Sequence, residues 1–247
     1  MDLTVITCNY NTPDLTINML KSLKLVSSEL PKVLVMNTSK SHQRNALDDN
    51  DIPYYNFRHG IHGEAVNLGL KKITTRYALL VDTDVIFLQD WQKPFQKLKD
   101  GNFTMLGKVV GDCGGKSLYE RVEPWYCFMD LTHIKSIKAR FFDVDRTKAS
   151  KTTNKVYDVG STLFEDVTKA GGLIGNVDLE GKYFKHYGGM SWRTQKYNPN
   201  VGDTDIDFGG THPHKVLYDI GLRVRQEYDR ETAYLEDVNI KGEYSYE

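Results

Sequence analysis

The sequence predicts an α/β protein with a mostly parallel central sheet, followed by a smaller α+β half. Three observations carry that expectation. Apolar runs of strand length alternate with segments of helical period through residues 1–90, the pattern of right-handed β-α-β crossovers. Those runs are continuous rather than alternating, as strands covered on both faces are. From Trp91 onward the runs shorten, and Gly-rich or charged loops separate them. With 247 residues, 40% hydrophobic and 26% charged, the chain is long enough for one well-filled core and too apolar for a disordered one. Residues 1–110 are read as one half of a single domain and residues 111–247 as the other.

The elements follow in order. Residues 3–8 read as a buried strand, and Asn9-Tyr10-Asn11-Thr12-Pro13 turns the chain into a helix. Thr12 is placed as its N-cap, Pro13 as its first helical residue and Asp14 at the positive end of its dipole. Leu15, Met19, Leu20 and Leu23 recur at helical spacing and face the sheet. Val33-Leu34-Val35-Met36 is a second strand, stopped by Asn37-Thr38-Ser39, and Tyr54-Tyr55-Asn56-Phe57 is a third. Residues 62–72 form a helix with Ala65, Leu68 and Ile73 inward, and residues 77–81 give the strongest strand signal of the chain. Shorter strands are expected within 104–110 and 125–129, and a helix within 161–170. Residues 143–155 and 193–215 are polar and weakly periodic, so mobile loops are expected there.

The formal net charge of −1 gives no global pull toward nucleic acid or anionic lipid. Met1 is followed by no basic n-region, and no apolar run approaches the roughly 18 to 20 residues that span a bilayer. A soluble cytoplasmic protein without membrane insertion is expected. Cys8, Cys113 and Cys127 are odd in number and lack metal-type spacing, so reduced thiols are expected.

Chemistry gathers first at Asp82-Thr83-Asp84. Ligands of open α/β sheets bind at the carboxyl ends of strands, and this triplet follows directly on the strongest strand. Two carboxylates at i, i+2 can hold a hard divalent ion that bridges the phosphates of a nucleoside diphosphate. Asp203-Thr204-Asp205 has the same spelling without a preceding strand and carries no such weight.

The triplet has company. Val5-Ile6-Thr7-Cys8-Asn9-Tyr10-Asn11, Val35-Met36-Asn37-Thr38-Ser39, Gly63-Glu64-Ala65-Val66-Asn67-Leu68-Gly69 and Leu80-Val81-Asp82-Thr83-Asp84 together resemble the family-2-like GT-A glycosyltransferases. The resemblance is good over residues 1–110 and looser beyond. It implies a GT-A fold, with a Rossmann-like nucleotide-binding half and an acceptor-side half, and a nucleotide-sugar donor. By this resemblance Thr7, Asn9 and Asn11 line the nucleotide pocket, and His62, Gly63 and Asn67 sit by the ribose and diphosphate. Asp82 contacts ribose or metal, Thr83 completes the triplet, and Asp84 is the direct metal ligand. The family's acidic residue in the base-reading segment is replaced here by Met36, which leaves the base open, with uridine as the default.

The second half resembles the family at three places. Pro124-Trp125-Tyr126-Cys127-Phe128-Met129-Asp130 looks like the strand after the donor site, whose aromatics floor an acceptor pocket or are core. Tyr157-Asp158-Val159-Gly160 resembles the site of an acidic general base that takes the acceptor's hydroxyl proton in an inverting transfer. Asp158 is the candidate, with a helix cap as the alternative and Glu165 and Asp166 as fallbacks. His186-Tyr187-Gly188-Gly189-Met190-Ser191-Trp192 resembles a late segment in which a His approaches the metal. An imidazole beside carboxylates favours manganese over magnesium. His212 and His214 read as loop residues.

The implied acceptor is a hydroxyl of a saccharide or small molecule. A hydroxylated base in DNA is an alternative: Lys135, Lys138, Arg140, Arg146, Lys148, Lys151 and Lys155 concentrate positive charge, and Phe141 and Phe142 are placed to stack bases. A further alternative is a non-catalytic nucleotide-sugar-binding or nucleotidyltransferase-like protein, although Asn9-Tyr10-Asn11-Thr12-Pro13 lacks the Gly-rich basic cradle a triphosphate requires.

Overall fold

The computed structural model describes residues 2–38, 45–57, 61–112, 117–190 and 215–246. Cys113, the Asp203-Thr204-Asp205 triplet, His212, His214 and nearly all of the expected 193–215 loop lie outside these residues. The core is a seven-stranded sheet in the order β10-β6-β9-β4-β1-β2-β3. Its strands are β1 (Leu3–Asn9), β2 (Lys32–Asn37), β3 (Tyr54–Asn56), β4 (Tyr77–Val81), β6 (Met105–Gly107), β9 (Tyr126–Asp130) and β10 (Ile174–Asn176). All run parallel except β9, which lies antiparallel between β4 and β6. β5 (Val85–Phe87) pairs with β11 (Phe184–His186), and β7 (Val109–Val110) with β8 (Arg121–Val122).

Both faces of the sheet are buried, which is why its strands read as unbroken apolar runs. On one face Leu3, Val5, Val33 and Val35 meet Met19, Leu20 and Leu23 of α1 (Pro13–Val26) and Trp91, Phe95 and Leu98 at α4 (Gln92–Asp100). On the other, Ile6, Leu34 and Met36 meet Ala65, Val66 and Leu70 of α3 (His62–Lys72), with α5 (Leu131–Ser136) and α7 (Ser161–Lys169) alongside. The short α2 (Asn45–Asp49) precedes β3, and α8 (Lys215–Thr232) follows β11. Among the described residues no helix is long and apolar enough to cross a membrane.

β9, from the second half, enters the main sheet between β4 and β6, so strands from both halves share one sheet. Two expectations are corrected. Residues 144–150 form a helix, α6 (Val144–Ser150), rather than a mobile loop. Asp143 caps it by accepting from the amides of Asp145 and Arg146, and Arg146 is tied to Glu165 and Asp166 of α7. Thr12 occupies the N-cap position of α1, but its side chain makes no capping bond. Its hydroxyl turns instead toward Asn9 Oδ1 and Thr83 Oγ1, at 3.4 and 3.3 Å.

Candidate donor and metal site

The carboxyl edge of the sheet collects the candidate residues. β4 ends at Val81, and the chain turns through Asp82-Thr83-Asp84 into β5. The Asp82 amide donates to Trp125 O at 3.3 Å, which anchors the turn to the segment leading into β9. β11 pairs antiparallel with β5 and places His186 opposite Val85. His186 Nε2 thereby lies 3.3 Å from Asp84 Oδ1. One ligand atom from each of Asp82, Asp84 and His186 falls within 4.8 Å of the others. The amides of Tyr187 and Met190 donate to Asp84, at its carbonyl and its Oδ2 respectively. The Trp125 indole stacks on the imidazole, with centroids 4.7 Å apart and planes 19° apart.

The electrostatics follow from this packing. Burial and the neighbouring charge of Asp84 push the Asp82 carboxyl above the ordinary carboxylate range, although His62 and His186 oppose the shift. Burial alone would raise Asp84 too, but the hydrogen bond and charge of His186 and the Met190 amide outweigh it, and its carboxyl titrates low. Burial opposes protonation of His186, yet Asp84 and Asp82 prevail and hold the imidazole above its usual value. Two carboxylates and an imidazole, brought together from two separate stretches of backbone, are the donor set that a manganese- or magnesium-like ion takes. The residues therefore fit a divalent cation.

α8 braces the same corner. Lys185 pairs with Glu227 and Glu231 at 2.8 and 2.6 Å, Tyr187 OH donates to Glu231 at 2.5 Å, and Tyr187 meets Tyr228 edge to face. Nothing in the sequence pattern announced this brace, because it joins residues some forty positions apart through ordinary surface-type charges.

The other expected donor residues divide. Thr83 is buried and faces Thr12. Thr7 is fully buried, with a hydroxyl that has no hydrogen-bond partner among the described residues. Asn11 adopts a left-handed φ of 56°, which asparagine tolerates better than most residues. His62 opens α3, near enough to Asp82 that a protonated imidazole there favours the ionised carboxyl. Gly63 and Asn67, expected beside ribose and diphosphate, both meet Phe142. A Cβ on Gly63 would come within 2.4 Å of Phe142 Cβ. The Asn67 amide clasps the Phe142 backbone, donating to its O at 2.6 Å and accepting from its N at 3.3 Å.

Met36, which the resemblance places in the base-reading segment, points away from the carboxyl edge. Its side chain is fully buried on the α3 face, close against Gly69. Pleating sends the next residue to the opposite face, so Asn37 takes the edge position. Asn9, Asn37 and Asn56 are register partners across β1, β2 and β3. Asn9 Nδ2 donates to Asn37 Oδ1 at 2.9 Å, and Asn37 Nδ2 to Asn56 Oδ1 at 3.0 Å.

On the acceptor side, Asp158 precedes α7 without capping it. Its Oδ1 accepts from the Val159 amide at 2.8 Å, its Oδ2 lies 3.5 Å from Arg121, and the side chain remains 45% exposed. Gly160 at the cap donates its amide to Phe141 O at 3.0 Å, and the Phe141 ring lies 6.4 Å from that of His62. Glu165 and Asp166 are both engaged by Arg146, and Glu165 also by Tyr157 and Lys169. Phe141 is buried and Phe142 packs on Gly63, so neither is a free stacking platform for a base.

No protein-family model and no curated protein matches the chain. Solved structures do. TarS of S. aureus, residues 1–349, superposes with a TM-score of 0.53 at 14% identity, covering 98% of this chain and 77% of that one. The same TarS fragment with UDP gives 0.51 at 15% identity over 74% of this chain and 60% of that one. A mannosyltransferase of Pyrobaculum calidifontis, with GDP-Man and Mn2+, gives 0.52 at 14% identity over 95% and 71%. Glucosyl-3-phosphoglycerate synthase of Mycobacterium tuberculosis gives 0.53 at 12% identity over 74% and 71%. The match spans only 36% of the longer TarS chain. The sheet order, the carboxylate turn after β4 and these superpositions together establish that the chain has the GT-A glycosyltransferase fold.

Proposed function

We propose that this chain transfers a sugar from a nucleoside-diphosphate sugar to a hydroxyl acceptor, with inversion at the anomeric carbon. The observation that carries the reading is the convergence of Asp82, Asp84 and His186 at the carboxyl edge of the sheet. A manganese or magnesium ion held there would neutralise charge on the departing diphosphate. The remaining work belongs to the chain. The Tyr187 and Met190 backbone fixes Asp84, and the Trp125 ring fixes the plane of His186. Asp158, partly exposed and bound to no helix dipole amide of α7, takes the acceptor's proton at Oδ2 as the hydroxyl oxygen attacks.

The solved relatives support the donor class: TarS is in complex with UDP in one structure, and the archaeal mannosyltransferase with GDP-Man and Mn2+ in another. A saccharide or small-molecule acceptor is favoured over a hydroxylated base in DNA, because Phe141 and Phe142 are packed away and Arg146 is paired. Thermal melting with UDP, GDP, CDP and ADP, each with manganese, magnesium or chelator, tests the donor site, since a ligand that binds only the native state raises the melting temperature. A shift that requires both nucleotide and metal is expected. Absence of any shift in folded protein removes the donor-site reading, and binding without sugar transfer to any acceptor leaves the non-catalytic alternative.

A further inference from the structure

The asparagine row has a direction, and the direction is fixed by the backbone. The Thr12 amide, which can only donate, points at Asn9 Oδ1 at 3.1 Å. Asn9 must therefore turn its oxygen toward α1 and its nitrogen toward Asn37. That nitrogen meets Asn37 Oδ1, so Asn37 in turn presents its own nitrogen to Asn56 Oδ1. Each amide dictates the orientation of the next, and the row ends at Asn56, an exposed residue on the edge strand β3. Its oxygen accepts from Asn37, so its NH2 group is the part of the amide that the row does not use.

The row also begins at the metal triplet. The Thr12 hydroxyl lies between Thr83 Oγ1 and Asn9 Oδ1, so one hydrogen-bonded line runs from Asp82-Thr83-Asp84 along the carboxyl ends of β1, β2 and β3. With strands roughly 4.8 Å apart, β3 stands about 14 Å from β4. A ribose and base extending from a diphosphate at the triplet cover that kind of span, along the edge where open α/β sheets bind their ligands.

We propose that Asn56 reads the donor's base through this NH2 group, selecting a base with an exocyclic carbonyl (uracil, thymine or guanine) over its amino counterpart (cytosine or adenine). The inference rests on the donor-site reading above. An exocyclic carbonyl accepts from Asn56 Nδ2, whereas an exocyclic amino group sets donor against donor. Met36, buried on the other face, has no part in the choice. The row explains how a neutral side chain serves at a recognition edge: its polarity is enforced from the Thr12 amide outward and cannot flip without unpairing buried groups.

The test is calorimetric titration of the full chain, with manganese, against the oxo/amino pairs UDP and CDP, and GDP and ADP. Wild-type protein is expected to favour the oxo member of at least one pair about tenfold, the worth of one hydrogen bond. Asn56→Asp keeps an acceptor for Asn37 but replaces the NH2 donor with an acceptor, and the preference within that pair should invert. Asn56→Ala should bring the ratio near unity. If wild-type protein favours the amino members, or the ratios are the same in all three proteins, the assignment of Asn56 is overturned while the donor site stands. If no nucleoside diphosphate binds even to wild-type protein, the donor-site reading itself falls and takes this inference with it.

Discussion

The two ends of the carboxyl edge are built by opposite means. At the β4 end, Asp82 and Asp84 are joined by His186 from a hundred residues further along; these are ionisable groups, with Asp84 buried and the other two half-buried. At the β3 end, Asn9, Asn37 and Asn56 are neutral, satisfy one another and are aligned simply by strand register. Buried charges are costly unless paired, and hydrogen-bonded amides are not. The metal end therefore depends on a partner for its stability and chemistry, whereas the amide end is already organised.

The largest expected effect lies at the metal end. Asp84→Asn should reduce metal-dependent transfer by about a thousandfold, as loss of a charge-stabilising group does. The variant should still melt cooperatively, which separates lost chemistry from lost fold. Acidification is the next lever. A ligating imidazole must be neutral, and the carboxylates hold His186 protonated to higher pH than usual. Affinity for manganese should fall as pH drops through that raised value, by up to about tenfold per unit for one released proton. A titration flat in pH would remove His186 from the ligand set. In metal-free protein the sign reverses: the His186–Asp84 pair stabilises the fold fully below the ordinary imidazole value and loses that contribution as pH rises through the raised one.

Smaller effects separate the ends. Asn37→Ala leaves the Asn9 nitrogen and the Asn56 oxygen without their partner and should cost about 2 kcal/mol of stability by chemical denaturation. Manganese binding without nucleotide should be unaffected, and a matching loss would mean the ends are not independent. Thr12→Val removes the hydroxyl between Thr83 and Asn9 but keeps the backbone amide that orients the row. About 1 kcal/mol of stability should be lost, with base preference retained. Loss of that preference would show that the hydroxyl, and not the amide, sets the direction.

Much of the frame was legible in the chain. α3 and β4 have the bounds their periodicity predicts, because buried strands and an amphipathic helix leave strong patterns. α6 was legible only in part: Asp143 is an N-cap signal, but the helix is mostly polar and gains support from the Arg146 contacts with α7. That Met36 and Asn37 face opposite sides of the sheet follows from counting, since strand side chains have period two. Pairing was not legible, and so neither was the entry of β9 between β4 and β6.

The sequence by itself determined an alternating β-α frame, a carboxylate turn at the end of its strongest strand, and a set of residues resembling a donor site. Those are local properties, written in periodicity and in side-chain type. Tertiary structure alone decided that His186 faces Asp84, that Asn67 and Gly63 serve Phe142, and that three asparagines form one directed row. Such contacts depend on register and on which strands become neighbours. These are settled by burial of the whole sheet, and no short stretch of the chain encodes them.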